Sequence, residues 1–282
     1  MTWRALPINK RKKNLTMQKA IGVFDSGVGG LTVVKELIHQ LPNEDIIYFG
    51  DTARVPYGIK SKETIIRFSI ENILFLLKQE VKLICVACNT VSSIALPAIK
   101  NHFRVPIVGV LSPGAREAVY ATKNKRIGVI GTKATITSQA YEKEIRMLDP
   151  TIRIVSQACP LFVPFVEEGW LNGRAVEDVA KVYLTSLKKA GVDTIILGCT
   201  HYPLLKPVIR KVMGQAVVLI DSAKQVATEV KQILANEALL EAKSHRPDRA
   251  FYVSDGPAWF SGLAKRFLGY SLKTVTKVDP IV

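Results

Sequence analysis

Four cysteines punctuate the chain, and two of them open polar turns: Cys-Asn-Thr at 88–90 and Cys-Thr-His at 199–201. Cys85 and Cys88 also share a C-x-x-C spacing, which invites a metal or redox reading. Both lie in VKLICVACNT, an apolar run of strand type. Three residues along a strand span about 10 Å and end on opposite faces. That geometry suits neither joint chelation nor a disulfide. Cys85, inside the run, is expected to pack as a small hydrophobe. Cys88 closes the run, where parallel sheets place their ligand-binding loops.

The counterpart of Cys88 is Cys199. VDTIILGCTH (192–201) parallels VKLICVACNT (81–90) at an offset of 111 residues, and IGVIGT (127–132) parallels IGVFDS (21–26) at an offset of 106. From the isoleucine opening each half to its strand-end cysteine is 67 residues in the first and 72 in the second. Two thiols facing each other across a cleft suit inversion at a carbon acid. One thiolate removes a proton while the opposing thiol supplies one to the other face. A thiol titrates near 8.5 and is readily tuned, so it can serve either role near neutral pH.

The surrounding residues supply ligands. Asn89, Thr90 and Thr200 offer amide, hydroxyl and backbone N–H groups to a carboxylate. His201 can hydrogen-bond a thiol or carry a proton. Asp25 and Ser26 end the first strand, and Asp25 either binds an ammonium, orients an acid or caps the next helix. Tyr57 and Gly58 lie in a loop that can reach the same ligand. Asp51 is open in the same way, and Glu167 either supports His201 or Cys199 or is simply solvated. SGVGG is not a dinucleotide fingerprint, because Thr32 stands where G-x-G-x-x-G needs its last glycine, and no phosphate-binding G-x-x-x-x-G-K-[ST] occurs. The thiols and four histidines form no compact ligand pattern. No cofactor and no metal are called for.

These residues need a scaffold of alternating elements. Strand-like runs at 20–24, 44–51, 81–87 and 105–110 alternate with helical patterns, and the alternation restarts at 125. In the second half ITSQAYEKEIRML reads as one helix, CPLFVPFVEEGW as a proline-broken loop, 173–190 as a helix and AVVLIDS as a strand. FYVSD then returns as a strand before a last helix in PAWFSGLAKRFLG. The expectation is an α/β fold of two pseudo-symmetric domains, each with a mostly parallel central sheet and flanking helices, and the active-site cleft between them.

The composition narrows the setting. Of 282 residues 48% are hydrophobic, enough for a substantial core. No apolar run is long enough for a membrane span or a secretory signal. Free cysteines fit a reducing compartment, so a cytoplasmic location is expected. Six of the Lys and Arg lie in residues 1–19, with no acid among them, leaving +9 of the net +15 on the other 263 residues. Excess positive charge attracts anions, yet no basic helix interleaved with aromatics follows, so nucleic acid is not expected as a substrate. Met17 is an alternative start.

The ordered set GVFDSGVGG, YFGD…VPYG, CNT, GVIGT, CPLFVPFVE, GCTHYPLL and FYVSD closely resembles the glutamate racemase family of cofactor-independent aspartate/glutamate racemases, over roughly residues 20–269. The resemblance implies interconversion of L- and D-glutamate for bacterial cell-wall (peptidoglycan) synthesis. It maps the two catalytic cysteines onto Cys88 and Cys199, with Asp25 assisting the first and Glu167 and His201 the second. Substrate contacts map onto Asp25, Ser26, Tyr57, Gly58, Asn89, Thr90, Thr200 and His201. It also implies that the chain returns to complete its first domain, giving 20–114 plus 222–282, then 115–221, with 1–19 a basic extension. Some members bind a wall-precursor activator through such extensions, and a homodimer is open. A related aspartate or other amino-acid racemase is the nearest alternative, and a non-catalytic α/β binding or regulatory module the other.

Overall fold

A computed structural model describes residues 19–242 and 246–279. The basic leader, apart from Lys19, lies outside those residues. The described strands are β1 (Ile21–Asp25), β2 (Ile46–Gly50), β3 (Leu83–Val86), β4 (Ile107–Gly109), β5 (Arg126–Gly131), β6 (Arg153–Ala158), β7 (Thr194–Gly198), β8 (Val218–Ile220), β9 (Arg249–Val253) and β10 (Thr276–Lys277). The helices are α1 (Leu31–Gln40), α2 (Lys62–Lys78), α3 (Asn89–Ile94), α4 (Leu96–Ile99), α5 (Leu111–Ala121), α6 (Lys133–Thr137), α7 (Ala140–Leu148), α8 (Phe162–Glu168), α9 (Arg174–Ala190), α10 (Lys206–Met213), α11 (Ser222–Asn236) and α12 (Pro257–Leu268).

Two parallel sheets organise the molecule, ordered β10-β9-β2-β1-β3-β4 and β6-β5-β7-β8. The order β2-β1-β3-β4 therefore recurs as β6-β5-β7-β8. The register recurs with it: Ile21 pairs with Leu83 and Ile127 with Thr194. Those partners are related by the two offsets read in the sequence, 106 and 111. Two pseudo-symmetric α/β domains are thus present, each around its own parallel sheet. β1, β3 and β7 are buried along their whole length, as helices on both faces of a parallel sheet require, which is why they read as unbroken apolar runs. The chain returns through β9 and β10 to widen the first sheet.

Several elements differ from the sequence reading. CPLFVPFVEEGW is not a loop, because α8 forms within it. Pro164 falls at the third position of that helix, where the missing N–H would have had no intrahelical partner. Pro113 sits equivalently in α5, a helix the periodicity did not reveal. ITSQAYEKEIRML divides into α6 and α7 around Gln139, whose φ of 54° turns the chain. α3 begins at Asn89, directly after the thiol, which makes Cys88 its N-cap residue. β10 was too short to show a pattern. Among the described residues no helix is long and apolar enough to cross a membrane.

Candidate active site

Each thiol follows the strand that flanks the central strand of its sheet. Cys88 comes two residues after β3, and only 5% of it is exposed. Its Sγ donates to Ser26 Oγ at 3.6 Å, and Ser26 stands immediately after β1. Burial pushes the Cys88 thiol up to about 12, and the charge of Asp25 adds to that push. Asp25 is itself buried. Its Oδ2 accepts from the backbone N–H groups of Gly27 at 3.1 Å and Gly30 at 3.0 Å. Oδ1 is equally buried and has no hydrogen-bond partner among the described residues. Burial raises the Asp25 carboxyl, while the charge of His201 and the backbone donors act the other way. Asp25 thus ties the turn ahead of α1 with one oxygen, although the N-cap residue of that helix is Gly30 and no side chain caps it, and leaves the other oxygen for a ligand or a proton.

Cys199 follows β7 directly and is 7% exposed. Its Sγ lies 3.9 Å from His201 Nδ1, and Thr200 Oγ1 lies 3.4 Å from the same nitrogen. His201 Nε2 meets Glu167 Oε1 at 3.0 Å. Burial pulls the imidazole down, but hydrogen bonds to Cys199 and Glu167, with their charges, outweigh it and raise it to about 10. An imidazolium donates from both nitrogens, one toward the thiol and one toward the carboxylate. α8, the element missed from sequence, is what brings Glu167 to this position.

The two halves interlock around the thiols. Thr32 Oγ1 reaches the carbonyl of Thr200 at 3.3 Å. Thr90 Oγ1 lies 3.0 Å from Thr132 Oγ1 and 3.3 Å from Thr135 Oγ1. Tyr141 donates to Asn89 Oδ1 at 2.6 Å, which leaves the amide nitrogen of Asn89 free to donate. A Cβ on Gly58 would stand 2.8 Å from Thr132 Cβ, so that loop touches the second domain through bare backbone. Cys199 is near enough for its charge to add to the upward push on Cys88. Thr132, Thr135 and Tyr141 escaped the sequence reading. A signal for Thr132 was present, since the 106-residue offset aligns it with Ser26.

Tyr57 stands apart from the other expected residues. Its hydroxyl donates to Asp51 and accepts from Asn72 at 3.2 Å. Asp51 also binds Arg54 and Ser254, so its carboxylate is engaged in holding this loop. Cys85 and Cys159 are fully buried in the apolar core, and burial raises both thiols. A cleft of about 1030 Å³ runs between α3–α4 and α6–α7, but neither a cysteine nor a histidine lines it. Volume therefore does not locate the chemistry, and the thiol pair is nearly closed in this conformation. Among the described residues no three His, Cys, Asp or Glu side chains gather as a metal site would need.

The Asp25–Cys88 contact gives a direct expectation. Asp25→Asn removes a negative charge that holds the thiol protonated, so Cys88 alkylates faster with iodoacetamide at any pH where the fold persists. Mapping the alkylated peptide by mass spectrometry across pH checks this. An unchanged or slower reaction would show that Asp25 carries no charge felt by Cys88.

The model of the Asp/Glu/hydantoin racemase family matches residues 21–230. The chain is 52% identical over 261 residues to a glutamate racemase of Geobacter metallireducens, spanning 93% of this chain and 97% of that one. The crystal structure of glutamate racemase from Francisella tularensis in complex with D-glutamate superposes with a TM-score of 0.88, at 42% identity, covering 94% of this chain and 98% of that one. An Escherichia coli glutamate racemase structure, in complex with L-glutamate and the activator UDP-MurNAc-ala, has a TM-score of 0.77 at 27% identity, covering 93% and 98%.

Proposed function

The chain belongs to the Asp/Glu/hydantoin racemase family, and from that premise we propose how its interlocked thiols interconvert L- and D-glutamate. The enzyme is an isomerase that racemises glutamate for peptidoglycan synthesis. The observation that carries the mechanism is the pairing itself: two buried thiols from equivalent positions of two repeats, each beside its own proton-handling group.

In the proposed reaction the α-carbon lies between Cys88 and Cys199. A thiolate on one face takes the α-proton as the C–H bond breaks. The thiol on the other face gives its proton to the same carbon. One proton enters and one leaves, so the product is the mirror image and the thiols have exchanged protonation states. The reverse direction uses the same steps with the roles exchanged. Burial and Asp25 keep Cys88 protonated in the ligand-free enzyme, ready as the acid. The free Oδ1 of Asp25 suits the substrate ammonium, whose positive charge offsets the carboxylate that holds the thiol protonated. A protonated His201 can hand a hydrogen bond to a Cys199 thiolate, and Glu167 keeps it charged. The α-proton is far less acidic than a thiol, so oriented donors must contribute several kcal/mol to the carbanion-like transition state. Asn89, Thr90, Ser26 and Thr200 are assigned to the substrate carboxylates, and Tyr57 and Gly58 to backbone contacts.

We keep the domain division as 20–114 plus 222–282 and 115–221, with the cleft between the sheets; on that division the first crossing falls within α5. Control by a peptidoglycan precursor through the basic extension, residues 1–19, rests on a segment of which residues 1–18 lie outside the described residues. The activator-bound E. coli relative supports keeping it in the proposal.

The test is an assay with L-glutamate, D-glutamate and L-aspartate in deuterated water. Inversion of both glutamate enantiomers with α-deuterium in the product is expected, with L-aspartate unchanged. Absence of α-deuterium from either glutamate enantiomer would overturn the mechanism, and preferential turnover of aspartate would reassign the substrate.

A further inference from the structure

α12 belongs to the segment that returns to the first sheet, yet its last turn touches the proton-handling pair of the second domain. Arg266 Nη1 donates to the carbonyls of Val166 at 2.9 Å and Glu167 at 2.6 Å. These carbonyls lie in the final turn of α8, where intrahelical donors run out and a cation is favoured. Gly169 ends that helix with φ at 82°, and a Cβ there would stand 2.7 Å from Arg266 Nη2. The bare glycine leaves the guanidinium its place. The next residue, Phe267, sets its ring edge-on to the His201 imidazole, with centroids 5.4 Å apart and planes at 85°. Consecutive residues of one helix thus hold both partners of the Glu167–His201 pair. The imidazole is buried, but the Glu167 side chain is 28% exposed and needs its backbone fixed to stay on Nε2.

We propose that Arg266 is a positioning residue: reaching from the first domain, it anchors the end of α8 so that Glu167 stays on His201, which couples proton exchange at Cys199 to docking of the two domains. The inference rests on the function proposed above for Cys199, but its anchoring half is independent of turnover. The titratable groups around the imidazole are Glu167, Cys199 and, across the cleft, Asp25.

The test compares the full chain with Arg266→Ala and Arg266→Lys. Arg266 is exposed, so neither change opens a core. In the ligand-free protein, NMR of labelled histidine follows the His201 titration. Arg266→Ala is expected to lower it, because Glu167 drifts away. Arg266→Lys is expected to restore it, because in the parent a single nitrogen serves both carbonyls. In turnover, Arg266→Ala should lower kcat about tenfold through misalignment, with KM little changed. It should also raise the α-deuterium isotope effect for only the enantiomer deprotonated at Cys199. A His201 titration that stays in place, or isotope effects that move alike for both enantiomers, overturns the proposal. Failure of the parent itself to exchange the α-proton would overturn the functional reading, and the titration would still decide the anchor.

Discussion

Cys88→Ala and Cys199→Ala should each lower glutamate racemisation about a thousandfold or more, near the upper range for losing a positioned acid or base. The loss must be equal in both directions, because two enantiomers have equal free energy and kcat/KM for one fixes that for the other. What separates the two variants is isotope exchange. A single remaining thiol can still take the α-proton from the enantiomer that faces it and return a deuteron to the same face. Cys88→Ala and Cys199→Ala should therefore wash deuterium into opposite enantiomers, without inversion. Cys85→Ala is the control: it removes a sulfur from the core beside Val23 and Val108. It should cost about 1 kcal/mol of stability, as typical substitutions do, and leave turnover near the parent. Unfolding curves and proton NMR in deuterated water read all three. If both alanine variants wash deuterium into the same enantiomer, the thiols do not sit on opposite faces.

The contrast between Cys85 and Cys88 was legible in the sequence because strand periodicity alone separates them. So was the equivalent placement of Cys88 and Cys199, since a repeated strand order carries equivalent residues to equivalent sheet ends. The offsets 106 and 111 survive in the register of β1 with β3 and β5 with β7. Other features have no local signal. Tyr141 reaches Asn89 from 52 residues away, and Arg266 reaches Glu167 from 99. Such contacts follow from how the domains dock, which neither propensity nor periodicity encodes. α5 and α8 were hidden for another reason: a proline within the first turn reads as a breaker, although there it removes no helical hydrogen bond. The cost of that misreading was functional, because α8 carries Glu167.

Gly29→Ala should lower kcat/KM about a hundredfold while leaving each domain folded, the loss expected when reacting groups are displaced by about 1 Å. Gly29 is not among the glycines with positive φ, so its backbone accepts alanine without strain. The obstacle is across the cleft. An added Cβ would stand 2.2 Å from Thr200 Oγ1, 2.4 Å from His201 Nδ1 and 2.6 Å from His201 Cε1. Carbon contacts settle near 3.5 Å or beyond, so the surfaces must part by about 1 Å. The imidazole cannot swing aside, held as it is between Glu167 and the Phe267 ring. The softest coordinate left is the separation of the domains, which also sets the distance between Cys88 and Cys199. Gly30→Ala gives the opposite outcome. Its Cβ would meet Asp25 Cβ at 2.5 Å and Tyr48 Oη at 2.9 Å, both within the first domain. No cleft can open to relieve that clash, so overpacking should remove about 1–3 kcal/mol of stability. Melting curves and glutamate kinetics on the two neighbouring variants read the difference. Near-parent turnover in Gly29→Ala would mean that Thr200 and His201 yield instead, and that the closeness of the two domains is not what holds the thiols in register.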